Sequence, residues 1–233
     1  MCKNNNANHF NFLISECEDS LLYKYLIENQ KYPFKKKAKF FIFNNNQYVD
    51  SILKMLNDVY QDIQIIIYKD SYIAFYFDNL DISVKDLFDT IKEELLIDLH
   101  IHDGMWVDSN TLGSSVCEYI KYVVEKIINE NHKKLNTNVT DVIYKLVKSQ
   151  NMNLLDFIKT SLLRSLRQKQ GNLEILHAFF VNNLNVSLTA KKIYMHRNSL
   201  INKLNQISYM LNIDVQEFMQ ASALLMLILK EVE

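Results

Sequence analysis

The chain reads as an α+β protein, with an N-terminal ferredoxin-like βαββαβ domain followed by an all-α domain. Three observations carry that reading. Strand-type and helix-type periodicities alternate from residue 38 to residue 128. Every apolar pattern beyond residue 139 has helical spacing. Between them, Asn129 to Asn138 is polar and unpatterned, as a linker would be. The expected domains are therefore 1–37 (a helix and linker), 38–130 (a regulatory or dimerisation domain) and 131–233 (a helical domain). A length of 233 residues has room for them, and 48% hydrophobic against 23% charged residues is the composition of a folded globular chain.

In order, Phe10 to Asn29 predicts a helix, since Leu13, Cys17, Leu21, Leu22, Tyr25 and Leu26 recur at three- and four-residue steps. Ala38 to Phe43 is a short aromatic and branched run, hence a strand. Gln47 to Tyr60 carries one apolar stripe and predicts a helix. Ile63 to Tyr68 and Tyr72 to Phe77 predict two strands, and the short Lys69-Asp70-Ser71 connection makes them a hairpin. Val84 to Leu99 predicts a second helix, Ile101 to Val107 a fourth strand, and Leu112 to Asn129 a helix capped by Asp108 or Asn110. One antiparallel sheet with helices on one face would bury these runs. Beyond the linker, helices are expected over Val139 to Ser149, Asn153 to Arg167, Leu173 to Asn183, Ser187 to Tyr194, Arg197 to Leu211 and Val215 to Val232.

Charge narrows the function. The formal net charge is -1, but it is unevenly distributed. From Arg164 to Lys203 the charged residues are Arg164, Arg167, Lys169, Glu174, Lys191, Lys192, Arg197 and Lys203, seven positive against one negative. Beyond Asn205 they are Asp214, Glu217, Lys230, Glu231 and Glu233, four negative against one positive. The cysteines Cys2, Cys17 and Cys117 fit no zinc spacing and no disulfide framework, so reduced thiols in a cytosol are expected. The polar start leads into no long apolar run, and no leader is expected. Ala221 to Leu229 is too short to span a bilayer, which takes roughly 20 residues.

Within the basic band, Ser187 to Leu211 reads as two helices joined by a tight turn, the arrangement that places a helix in the DNA major groove. Ser187 is the expected N-cap of the first helix. Ala190 would allow a close helix crossing, while Leu188, Ile193 and Met195 face inward. Leu200, Leu204, Ile207 and Leu211 form the buried stripe of the second helix, with His196 or a neighbour capping it. Arg197 and Asn198 then lead into the groove, where Arg suits guanine and Asn suits adenine. Ser187, Thr189, Lys191, Lys192 and Lys203 are the phosphate candidates. His196, Ser199 and Asn202 complete the expected DNA-binding set.

The run Met195-His-Arg-Asn-Ser-Leu200, set within Ala190 to Leu204, resembles the C-terminal helix-turn-helix of the PucR/CdaR group of bacterial transcription regulators. It is similar, more loosely, to the C-terminal domain of Fis. The resemblance implies sequence-specific DNA binding by a bacterial transcription regulator, and because one such head binds weakly alone, a cytoplasmic homodimer is expected. It also implies that a degenerate relative of the GGDEF domain precedes the DNA-binding head. No Gly-Gly-Asp/Glu-Glu-Phe signature is present, so cyclase chemistry is not implied. Ser199 stands where the family prefers Thr. Ile201, Asn202 and Lys203 stand where it often has Arg, Tyr and Arg, giving a less basic second helix.

Other constellations are weaker. His100 and His102 share one side of a strand and could hold a metal with Asp98 or Asp103, although ordinary strand-edge polarity is the simpler reading. Asp78, Asp81, Asp86 and Asp89 read as helix capping. Lys39, Phe41 and Phe43 alternate as an RNA-stacking surface would. No phosphate-cradling glycine loop and no catalytic triad or dyad is visible, so neither enzyme activity nor a cofactor or metal is expected. The expected partners are double-stranded DNA and a second copy of the chain. No membrane is expected, and no small-molecule effector is specified. The alternatives are a non-DNA-binding adaptor or an RNA- or nucleotide-binding α+β module.

Overall fold

The computed structural model describes residues 20–44, 47–60, 62–77, 83–129 and 134–228. They fall into two compact units, Met1–Thr137 and Asn138–Glu233.

The first unit is built on a five-stranded sheet. Its strands are β1 (Ala38–Asn44), β2 (Gln64–Tyr68), β3 (Ser71–Tyr76), β4 (His100–Val107) and β5 (Asn136–Asn138), in the order β2-β3-β1-β4-β5. The first four follow the split βαβ order expected from the sequence. β1 lies at the centre and pairs antiparallel with β3 (Phe41 opposite Ala74) and with β4 (Ile42 opposite His102). The β2–β3 hairpin turns on Lys69 and Asp70, and Tyr68 faces Ser71.

From Ala38 to Phe43 every residue of β1 is buried, so the sheet must be covered on both faces. Phe41 and Phe43 pack with Ile52 and Leu56 of α2 (Val49–Val59) and with Val84, Leu87, Phe88 and Ile91 of α3 (Val84–Leu95). The intervening Phe40 turns to the opposite face. Its ring lies 5.8 Å from that of Tyr119 in α4 (Gly113–Tyr122), which continues as a π-helical turn to Ile128. The expectation of helices on one face is therefore corrected: a central strand with apolar side chains at odd and even positions alike leaves no face for water. Tyr68 and Lys69 at the hairpin both donate to Glu125 of the π-helical segment, each at 2.7 Å.

Three expected boundaries also move. The first helix, α1, runs over Leu21–Leu26, with the Ser20 hydroxyl accepting from the Tyr23 N–H; it ends three residues before the expected Asn29, and residues 10–19 of the expected helix lie outside the described residues. α3 stops at Leu95 because Leu96 takes a left-handed conformation (φ 52°). The last three residues of the expected linker form β5, the edge strand beside β4. The Leu135 carbonyl accepts from the Ile101 N–H at 2.7 Å, and the Thr137 hydroxyl donates to the Ile101 carbonyl. Two glycines permit close approach within this unit. A Cβ on Gly104, in the bulge where Gly104 and Met105 of β4 face Phe40 of β1, would sit 2.6 Å from the Phe40 carbonyl oxygen, and one on Gly113 would sit 1.8 Å from the Tyr25 carbonyl oxygen.

The second unit is wholly helical: α5 (Val139–Ser149), α6 (Met152–Arg167), α7 (Asn172–Val181), α8 (Val186–Lys192), α9 (Arg197–Leu211) and α10 (Phe218–Ile228). Asn138 and Asp141 form a capping box that starts α5. α9 packs against α6 and α8, and α10 against α5 and α6. α10 begins three residues later than the periodicity suggests. Leu224 and Leu227 of the apolar run are buried. The large side chains that α10 leaves exposed are Phe218, Met219 and Met226.

Candidate nucleic-acid interface

The local sequence sets the geometry of α8, the turn and α9 bond by bond. The Asn185 side chain accepts from the Leu188 N–H at 2.9 Å and so caps α8. Ser187, the expected cap, instead lies inside the first turn and is exposed. At the other end the Met195 N–H donates to the Ala190 carbonyl at 2.9 Å. Tyr194, between them, has φ 54°. This is a Schellman ending with a tyrosine where glycine is usual. The chain then enters α9 through His196, whose Nδ1 accepts from the Asn198 N–H at 3.3 Å. The expected capping role of His196 is thus met.

Burial divides the motif. Leu200, Leu204, Ile207 and Leu211 are at most 2% exposed, and Ala190 is buried where α8 packs on α9. Half a turn away, Asn198, Asn202, Asn205 and Tyr209 follow the same i, i+4, i+7, i+11 spacing, and all four are exposed. Asn205 also accepts from the Gln216 side chain at 2.9 Å, which fixes that part of the face.

Of the expected contacts, Ser187, Lys191, Lys192, His196, Arg197, Asn198, Ser199 and Asn202 are exposed and Lys203 is half-buried. Thr189 is the exception and is corrected. It is fully buried, and its hydroxyl donates to the Asn185 carbonyl at 2.8 Å, so it has no surface to offer a phosphate. Leu188 is also corrected: it is 42% exposed instead of facing inward. Two exposed residues were missed, Tyr209 and Tyr194. The first is legible as the continuation of the asparagine stripe. The second had a weaker signal, a large side chain in a turn that only the structure shows to be left-handed.

The electrostatics favour an anion. No carboxylate side chain occurs between Glu174 and Asp214, whereas Lys191, Lys192, Arg197 and Lys203 all fall in that interval. The first-turn N–H groups of α9 add the positive end of the helix dipole.

Several side chains of the alternative sites are engaged within the fold. His102 is fully buried, with Nδ1 3.0 Å from the Thr137 hydroxyl and Nε2 2.8 Å from the Tyr119 hydroxyl, so both ring nitrogens are already engaged. Burial, reinforced by Lys134 and Lys39, holds its pKa down at about 3. Among the described residues no group of three or more His, Cys, Asp or Glu side chains could hold a metal ion. Asp86 caps α3 with Ser83, and Asp89 pairs with Lys92 at 2.6 Å; Asp78 and Asp81 lie outside the described residues. The RNA-stacking expectation is corrected as well. Phe41 and Phe43 lie beneath α2 and α3, and Lys39 is buried against Asp103 at 2.8 Å. Cys117 is a buried free thiol whose pKa burial pushes up to about 12; Cys2 and Cys17 lie outside the described residues. No helix among the described residues is long and apolar enough to cross a membrane.

Comparison with known proteins adds three findings. No curated protein matches the chain. The crystal structure of a regulator of polyketide synthase expression from Bifidobacterium adolescentis is similar over 91% of this chain and 92% of that one, at 10% identity and a TM-score of 0.44. Residues 172–229 match the family model of the PucR C-terminal helix-turn-helix domain. That interval takes in α7 to α10, with the buried leucine stripe and the exposed asparagine stripe of α9 at its centre, so the similarity falls on the helix-turn-helix described above.

Proposed function

We propose that the protein is a transcription regulator that binds duplex DNA by laying the N-terminal half of α9 in the major groove. One observation supports this above the others. The helix buries one apolar stripe and presents, half a turn away, a polar stripe flanked by cations, in a segment free of carboxylates. Arg197 and Asn198 in the first turn, with Asn202 one turn on, are the base readers; Asn is suited to adenine and Arg to guanine. Lys191, Lys192, Lys203, Ser187, His196 and Ser199 hold the sugar–phosphate backbone and set the register.

A single motif of this size contacts few base pairs. The protein therefore acts as a homodimer on two half-sites about one helical turn, ~34 Å, apart. The first unit serves as its regulatory or dimerisation domain. The exposed Phe218, Met219 and Met226 of α10 are among the apolar side chains of the second unit available to such an interface.

The test is selection of bound fragments from a random DNA pool by the purified full chain. Two related half-sites should emerge, and Arg197→Ala should weaken binding to them by about 1–3 kcal/mol while relaxing the preference at one position. A chain that enriches no sequence, or an Arg197→Ala variant that binds every selected site as tightly as the parent, overturns the assignment.

A further inference from the structure

We propose that Tyr194 is a contact to the DNA sugar–phosphate backbone, flanking the groove that α9 enters. The inference rests on the DNA-binding reading above and adds a residue to it.

Tyr194 is 98% exposed, the highest value among the large apolar and aromatic side chains of the described residues. A single exposed aromatic is ordinary by itself. This one also occupies a left-handed position, which bulky residues rarely adopt. The Met195 N–H to Ala190 carbonyl bond pins its backbone, so the ring projects from a fixed point. The chain closes other helices with the same bond pattern. In those, the left-handed residue after the helix is Leu96, Gln150, Asn183 or Asn212. Asparagine, the residue that best tolerates this conformation after glycine, is used twice, yet the turn of the DNA-binding motif has tyrosine.

Its neighbours give the side chain a role. Lys191 and Lys192 precede it and His196 and Arg197 follow it, all exposed and with no acid nearby in sequence. A phenol in that setting can donate a hydrogen bond to a phosphate oxygen while its ring lies on the apolar side of a deoxyribose. Neither contact reads a base, and neither involves a formal charge. Tyr194 therefore contributes affinity on every sequence without contributing to salt dependence, which belongs to the lysines.

The experiment compares Tyr194→Gly, Tyr194→Phe and Leu96→Gly in the full chain, using thermal melting and DNA binding as a function of salt. Leu96 is the internal control, since it is 90% exposed, left-handed and ends a helix in the other unit. Both glycine variants should melt at an unchanged or higher temperature, because glycine relieves the left-handed conformation. Tyr194→Gly should nevertheless bind roughly five- to tenfold more weakly on selected and unrelated duplexes alike, and Tyr194→Phe by about threefold, with the salt slope unchanged in both. Leu96→Gly should bind as the parent does. If Tyr194→Gly binds like the parent while Arg197→Ala is impaired, Tyr194 is removed and the DNA-binding reading survives. If the parent enriches no DNA, both fall together.

Discussion

Replacing Thr189 by valine separates two accounts of a residue that looks, in sequence, like a phosphate ligand. The structure makes the hydroxyl a helix-internal donor, fully buried and bound to the Asn185 carbonyl at 2.8 Å. That carbonyl also accepts the Thr189 N–H at 2.9 Å, so losing the hydroxyl leaves no orphaned acceptor. The variant forfeits one neutral hydrogen bond, about 1 kcal/mol, but no longer buries a hydroxyl, and the added methyl enters a packed position. These terms oppose one another and leave a net change within about 1 kcal/mol, a shift of a few degrees in the melting temperature of a unit this size. DNA affinity should stay within about twofold. A hydroxyl bound to a phosphate would be worth roughly 1.5–3 kcal/mol, tenfold or more in dissociation constant. Calorimetric melting and fluorescence anisotropy on one selected duplex give both numbers. A dissociation constant raised tenfold at unchanged melting temperature would refute the assignment of Thr189 to the fold.

Two further outcomes follow from the first unit. Gly113→Ala would push a Cβ to 1.8 Å from the Tyr25 carbonyl oxygen, a backbone atom that cannot rotate away; the α1–α4 crossing must open, at a cost of roughly 3 kcal/mol read as a lowered melting temperature. His102 makes stability depend on pH. Its folded pKa of about 3 lies below the unfolded value of 6.5, so the unfolded chain takes up a proton first as pH falls. The stabilisation from keeping the ring neutral is complete above pH 6.5 and is lost progressively toward pH 3. Denaturant titrations between pH 7.5 and 5 should show this loss, and His102→Gln should flatten it by up to one proton; an unchanged slope in the variant would assign the dependence to other groups.

The alternating order of the first unit was legible because each element carries its own period, down to the hairpin, expected at Lys69 to Ser71 and found on Lys69 and Asp70. Its layering was misread, although Ala38-Lys-Phe-Phe-Ile-Phe43 contains the signal: apolar side chains at both odd and even positions demand a two-sided cover. β5 was hidden because Asn-Thr-Asn, with a single strand-favouring residue between two that disfavour strands, gives little signal. A short edge strand needs little, and here hydrogen bonds to Ile101 supply the pairing that composition does not suggest. In the second unit the buried stripe of α9 was read correctly, since four leucine-type residues at helical spacing admit one solution. The start of α8 was not. Asn185 and Ser187 are both good caps, and nothing local ranks them; the choice falls to Asn185, which lets Val186 and Thr189 turn inward. Thr189 shows the same limit. Seven residues of helix do not reveal which side is covered until the neighbouring helices are in place.

The scarcity of glycine links the fold to its candidate function. With 3 glycines in 233 residues, most helices must end on residues that carry side chains. Each left-handed ending then costs some strain and places a side chain outside the helix it closes. At Leu96 and Gln150 that side chain meets solvent and gains nothing evident. At Tyr194 it stands beside the cations of the motif, so the same backbone device can add binding surface where a glycine would add none. The tip of α9 is correspondingly rigid, with the Asn185 cap at one end of α8, the Met195–Ala190 bond at the other, and the His196 cap on the next helix all formed before any ligand arrives. A wedge assembled this way loses little conformational freedom on docking. It can therefore bind usefully with a modestly basic helix, in which Ile201, Asn202 and Lys203 stand where arginine, tyrosine and arginine would otherwise be expected.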